Sequence, residues 1–291
     1  MPIINQVVQG GGSGPAGLYR EFQLDGTGKL VPNTTTTHIM DFTGMTDVSD
    51  YALAWAYFLN TAISGAVDMS DLTTVSGYAA CSSTFYGCTG LTSIDLSSLT
   101  TISGTSACAN MVTNCTGLTS ASLPALTTIT SGSYGCNYMF SGCTGVTSAN
   151  LSALTTISGS SACANMFFNC IGLTSANLSA LTTLSGSSVC NYMFYGCTGL
   201  TSIDLSSLTT ISGSNACAYM FYGCTSLATV YIGGTTAIDF GTRTNQFTNM
   251  FSNCTQNIDV YAPAANQTFI ESLSGYPNFG GTGTVTWHWR S

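Results

Sequence analysis

The fold is decided by Phe85-Tyr-Gly-Cys88-Thr-Gly-Leu91-Thr-Ser-Ile94-Asp-Leu96-Ser-Ser-Leu99-Thr-Thr-Ile102. Its Ile94-x-Leu96 core alternates with period two, as a strand buried on one face should. The stretch then recurs. One column of cysteines runs Cys88, Cys115, Cys143, Cys170, Cys197, Cys224 and Cys254, at steps of 27, 28, 27, 27, 27 and 30 residues. A second column, seven residues earlier, runs Cys81, Cys108, Cys136, Cys163, Cys190 and Cys217. The two columns take up all 13 cysteines, so the spacing is a structural period and the chain is a repeat protein.

The rest of the unit keeps the same period. Strand positions recur as Leu118/Ala121/Leu123, Val146/Ala149/Leu151, Leu173/Ala176/Leu178, Leu200/Ile203/Leu205 and Leu227/Val230/Ile232. A second apolar pair follows (Leu99/Ile102, and so on to Leu208/Ile211), then a Ser-Gly turn such as Ser185-Gly186. The unit ends on a stretch like Cys163-Ala-Asn-Met-Phe-Phe-Asn-Cys170, with Cys, Met/Phe and Cys at offsets 0, 3–4 and 7. Those offsets describe one face of about two helical turns. No unit can bury its apolar face alone, so neighbours must stack into one core. The expectation is a right-handed α/β solenoid: parallel strands on one face, short helices on the opposite, convex face, and a cap at both ends.

The pattern F-x-x-C-x-x-L-x-x-I-x-L, carried here by Phe85, Cys88, Leu91, Ile94 and Leu96, resembles the BspA-like leucine-rich repeats of bacterial surface proteins and phage proteins. The resemblance spans residues 54–260. It implies a solenoid whose work is adhesion and protein–protein interaction. Leu99 and its equivalents stand where the better-known horseshoe repeat has Asn, so no internal asparagine ladder is expected.

Three regions follow. Residues 1–50 form an N-terminal docking or tether segment, 51–262 the solenoid with six regular repeats and degenerate terminal ones, and 263–291 a C-terminal cap. Ala54, Phe58 and Thr61 open the degenerate first repeat; Phe247, Phe251 and Cys254 mark the last. A short helix is expected over 263–275 and a closing strand over Thr284–Trp289. The opening Met1–Gly14 reads as a short apolar segment with a flexible glycine tract. It lacks the basic start and apolar run of a secretory signal.

Charge limits the function. Only 5% of the 291 residues are charged, against about 25% in an ordinary domain. The net charge is −8, and residues 96–203 contain no charged side chain. Such a chain cannot neutralise a row of phosphates, which argues against nucleic acid. No apolar run approaches the ~18 residues of a membrane span. Catalysis needs an acid, base or activated nucleophile, and the repeats offer only hydroxyls, amides and thiols. His38 and His288 lie in the flanks without evident partners. No enzyme and no cofactor is therefore expected. A metal is disfavoured by the C-x6-C spacing. Within one helical unit the cysteine Cα atoms would lie about 10.5 Å apart, beyond the ~7 Å a disulfide allows. The cysteines read as buried free thiols, with bridges between units left open.

Two surfaces are candidates for binding. The outward column on the strands is Asp95, Ser122, Asn150, Asn177, Asp204 and Tyr231, flanked by serines on both sides. The convex side carries the aromatics Tyr86, Phe168, Tyr195 and Tyr222. Thr-Thr pairs from 73–74 to 209–210 raise an ice-binding reading, with one Thr per rung expected outward. The leading expectation is a non-enzymatic extracellular protein: a phage virion component, on tail or capsid surface, whose receptor is a protein or glycan on a bacterial surface. It would attach to its virion partner through the N-terminal segment, as a homo-oligomer, since viral assemblies are symmetric. The alternative is a bacterial cell-surface adhesin.

Overall fold

The computed structural model describes residues 22–24, 30–32, 46–48, 64–242 and 245–291. A small antiparallel pair, β1 (Phe22–Leu24) and β2 (Leu30–Pro32), precedes the repeats. The solenoid is a parallel β stack of about eight turns. Each regular turn contributes two strands. They run in order as β3 (Ser64–Asp68), β4 (Thr74–Val75), β5 (Gly90–Asp95), β6 (Thr101–Ile102), β7 (Ser120–Ser122) and β8 (Thr128–Ile129). The series continues through β9 (Ser148–Asn150), β10 (Thr156–Ile157), β11 (Ser175–Asn177), β12 (Thr183–Leu184), β13 (Ser202–Leu205) and β14 (Thr210–Ile211). It ends with β15 (Thr229–Ile232), β16 (Ile258–Pro263) and β17 (Val285–Arg290).

The even-numbered strands β4 to β14 form one unbroken six-stranded parallel sheet in strict register, each Thr opposite the next rung's Thr. The preceding Thr of each pair adds a second ladder. The hydroxyls of Thr100, Thr127, Thr155, Thr182 and Thr209 each donate to the carbonyl of the equivalent Thr one rung back, at 2.9 to 3.3 Å. A threonine ladder thus does the work that an asparagine ladder would do elsewhere. Thr127→Val keeps the shape and removes one such bond; it should cost about 1 kcal/mol in urea denaturation, and an unchanged midpoint would show the ladder to be idle.

The third side of each turn corrects the expected short helices. Among the described residues the helical segments are a single 3-10 turn, Ala264–Asn266, and one five-residue helix, α1 (Gln267–Glu271). The Cys-to-Cys stretches are instead chains of β-turns. In the rung of Cys81, the N–H groups of Ser82, Thr84, Tyr86 and Cys88 donate three residues back. The alternate ones, Ala79, Cys81, Ser83, Phe85 and Gly87, donate to the next rung. A helix would close all of these bonds on itself; here half of them tie rungs together. Every fourth residue takes positive φ: Ser106, Asn110 and Asn114 in one rung, Ser161, Asn165 and Asn169 in another. The last place before the second cysteine is always Gly or Asn (Gly87, Asn114, Gly142, Asn169, Gly196, Gly223, Asn253), with φ between 56 and 73°. These are the residue types that enter the left-handed region at least cost.

A cap at both ends is not supported. At the C-terminal end the expected closing strand is present as β17, which adds to β16 as one more parallel strand, from Ile258↔Val285 to Pro263↔Arg290. The expected degenerate-repeat residues Ala54, Phe58 and Thr61, and most of the expected tether, lie outside the described residues. The core is a set of stacked columns. Phe140, Phe167, Phe194, Phe221 and Phe251 form a ring-on-ring spine with centroids 5.5 to 6.0 Å apart. The column Met111, Met139, Met166, Met193, Met220 and Met250 is buried beside it.

Candidate binding surface

All 13 cysteines are buried, and none is in a disulfide. They are more than small apolar fillers. The thiols of Cys115, Cys143, Cys170, Cys197, Cys224 and Cys254 each donate to a carbonyl of the preceding rung, at 3.0 to 3.1 Å. Burial pushes Cys88, Cys170 and Cys217 up from 9.0 to about 12 and Cys254 to about 11. Cys81 is raised by its hydrogen bond with Cys108, and by burial. The thiolate is the reactive form, so the folded chain should resist iodoacetamide at pH 8 and the denatured chain should label at every cysteine. Above pH 9 these raised thiols ionise in the unfolded chain and stay protonated in the folded one, so the stability they contribute is full below 9 and falls as pH rises towards 12. A melting temperature flat across that window would contradict this. Among the described residues no cluster of His, Cys, Asp and Glu is placed to hold a metal ion.

The turn side gathers three of its four expected aromatics. Phe168, Tyr195 and Tyr222 stack face to face at 4.3 and 4.7 Å. Tyr192 and Tyr219 form a parallel stack at 4.7 Å. Tyr86 is separated from them by the rungs of Thr113 and Ser141, and its hydroxyl meets the Asn114 amide. Rings packed on one another offer outward mainly edges and hydroxyls. Stacking on a sugar needs a free ring face, so this strip is better suited to holding rungs together than to gripping a glycan.

The strand side aligns its predicted column. In register it runs Asp68, Asp95, then Ser122, Asn150, Asn177, then Asp204, Tyr231, Tyr261 and His288. The Asp and Asn residues recur there for a local reason. The Oδ1 atoms of Asp68, Asp95, Asn150, Asn177 and Asp204 each accept the backbone N–H two residues on, at 2.8 to 3.2 Å, and so turn the chain out of the strand. That bond fixes each side chain: the Asn amide nitrogens and the second Asp oxygens are left facing out.

At the C-terminal end the column becomes aromatic. Tyr231 stacks on Tyr261 at 4.8 Å and Tyr261 on His288 at 4.6 Å. Arg290 lies over Tyr231. His288 is not partnerless: its Nε2 meets Asp259 Oδ1 at 2.8 Å, a pairing created by the β16–β17 register. His38 lies outside the described residues. The Thr-Thr sheet presents both threonines of each pair at the surface, not one, but the first hydroxyl of each is engaged in the ladder. The second hydroxyl is engaged as well in one pair, where Thr183 meets Thr182 at 3.4 Å, which weakens the ice-binding reading.

A stacked parallel coil with an apolar interior and long polar faces defines a leucine-rich-repeat scaffold, a class that works by contact. The chain belongs to the BspA type leucine rich repeat family, whose sequence profile matches residues 60–187 and 163–274 in 6 copies. Proteins of this family are surface and adhesin-type binding proteins, exposed or secreted. Among solved structures, a leucine-rich repeat protein from Bacteroides ovatus is 18% identical, with a TM-score of 0.39; the alignment covers 89% of this chain and 76% of that one. No curated protein sequence matches significantly. No helix among the described residues is long and apolar enough to cross a membrane.

Proposed function

We propose that the chain is a non-enzymatic extracellular binding protein, a phage virion component of tail or capsid surface that recognises a bacterial surface through its strand side. The observation that carries the reading is the outward column of amides, carboxylates and rings, in register within three successive segments, Asp68–Asp95, Ser122–Asn177 and Asp204–His288. Thirteen cysteines without a disulfide among them fit folding in a reducing cytoplasm before release by lysis. The glycine tract near the start supports an N-terminal link to a virion partner in a symmetric oligomer. Family membership favours a second reading, an adhesin carried by the bacterium itself.

Antibody against the purified chain, applied to intact phage particles and to phage-free host cells, separates the two. Labelled particles support the virion role, and labelled phage-free cells the adhesin. If neither labels, and the purified chain fails to bind bacterial cells, the recognition role is wrong.

A further inference from the structure

The strand side is not one even sheet. Ladders join β7, β9 and β11 into one sheet, β3 and β5 into another, and β13, β15, β16 and β17 into a third. No ladder joins β5 to β7 or β11 to β13 among the described residues. Leu123 and Leu151 donate their N–H groups to Asn150 and Asn177 of the following rung, at 2.8 and 3.0 Å. Leu178 makes no equivalent bond to Asp204, nor Leu96 to Ser122. The even-numbered sheet runs unbroken past both borders, so the ladders are interrupted only on the strand side, where Thr119 N–H still donates to the Thr92 carbonyl across the first border at 3.3 Å.

The borders fall where one inward side chain changes size. It is Ile94 in β5, Ala121, Ala149 and Ala176 in the next three strands, and Ile203 in β13. The smaller side chain lies in β7, β9 and β11, between strands that carry Ile. The surface dips at the β9, β11 and β13 end of that stretch. A depression of about 500 Å3 lies there, lined by Asn150, Asn177, Asp204, a partly exposed Ala176 and four serines.

We propose that this recess holds an uncharged polysaccharide chain laid along the stack, a site that deepens the surface-recognition reading and rests on it. Three properties select that ligand. The floor offers two amide donors at neighbouring rungs, Asn150 Nδ2 and Asn177 Nδ2, since both Oδ1 atoms are held by backbone. The β13 edge offers an acceptor, the second carboxylate oxygen of Asp204. Polar contacts therefore repeat about every 4.8 Å, a spacing suited to the hydroxyls of consecutive sugar rings. With the Asp204 carboxylate at one edge and no cation in the lining, an anionic chain is repelled, which is why the ligand is a neutral glycan and not a uronate or a phosphate polymer. Leu178 adds a backbone N–H at the open border.

Two variants of the full chain test the site. Asn150→Ala with Asn177→Ala removes both donors. Ala176→Ile places the side chain found in β13 at the partly exposed position of the floor. The probes are neutral oligosaccharides (isomalto-, manno- and chito-oligomers) and an oligogalacturonate, followed by calorimetry, with whole-cell binding measured in parallel. The expected result is binding of a neutral oligomer, weakened about tenfold or more in both variants, no binding of the uronate, and melting temperatures within a few degrees of the parent. Equal binding by parent and both variants overturns the site while leaving surface recognition intact. Cells bound without any neutral oligomer being bound overturns it in the same way. If the chain binds neither cells nor sugars, the broader reading fails with it.

Discussion

Gly186→Ala is expected to break the stack in its middle, at a cost of about 3 kcal/mol or more. A Cβ at residue 186 would stand 1.9 Å from the carbonyl oxygen of Gly159, 2.6 Å from its carbon and 2.8 Å from its nitrogen. All three are backbone atoms of the neighbouring rung, so no side chain can swing aside. Relief requires parting two rungs, with their thiol, threonine and turn bonds. Gly104 and Gly213 meet the rung before them in the same way, each at 2.0 Å from a carbonyl oxygen. The Ser-Gly turn is therefore the corner where rungs touch backbone to backbone. Because each rung couples only to its neighbours, the damage should be local. Limited proteolysis of the variant should cut near residue 186 and leave flanking fragments. Gly234→Ala, whose Cβ would lie 3.3 Å from one carbonyl oxygen, is the control and should cost under about 1 kcal/mol.

Phe194→Ala should cost about 3 to 5 kcal/mol in chemical denaturation. The ring is fully buried and lies between Phe167 and Phe221, at 5.5 and 5.8 Å. Its removal leaves a cavity that rungs fixed at sheet spacing on the other sides cannot close. The comparison is Tyr195→Ala, which also sits in a ring stack but on the half-buried turn surface. Losing that stack should cost only about 1 kcal/mol. Equal effects would mean that the surface stack, and not the buried spine, supports the fold.

The period and the strands were legible because fixed cysteine spacing and period-two alternation have one stable outcome, a stacked parallel coil. The turn side was not, because offsets 0, 3, 4 and 7 arise equally from a helix and from β-turns repeating every four residues. The signal that separates them is the Gly or Asn before each second cysteine, from Gly87 to Asn253, which suits a left-handed residue in every rung. The strand-face column was placed correctly by period alone, yet its relief was not. The change from Ile94 to Ala121 looks like conservative core variation until the ladders stop on either side of it. The partnership of His288 with Asp259 depends on a register set by β17, which no local pattern specifies. The Thr-Thr pairs were visible as a surface lattice, while their role as a ladder needed the neighbouring carbonyls.

The claim that recognition resides on the strand side is tested most directly by binding of the purified chain to intact bacteria, with one face altered at a time. Asp204→Lys with Tyr231→Ala alters the strand face; Tyr195→Ser with Tyr222→Ser alters the turn face. The account predicts that the first pair abolishes cell binding and the second leaves it within about twofold of the parent. Loss of binding in the turn-face pair, with the strand-face pair unaffected and both folded, would contradict it.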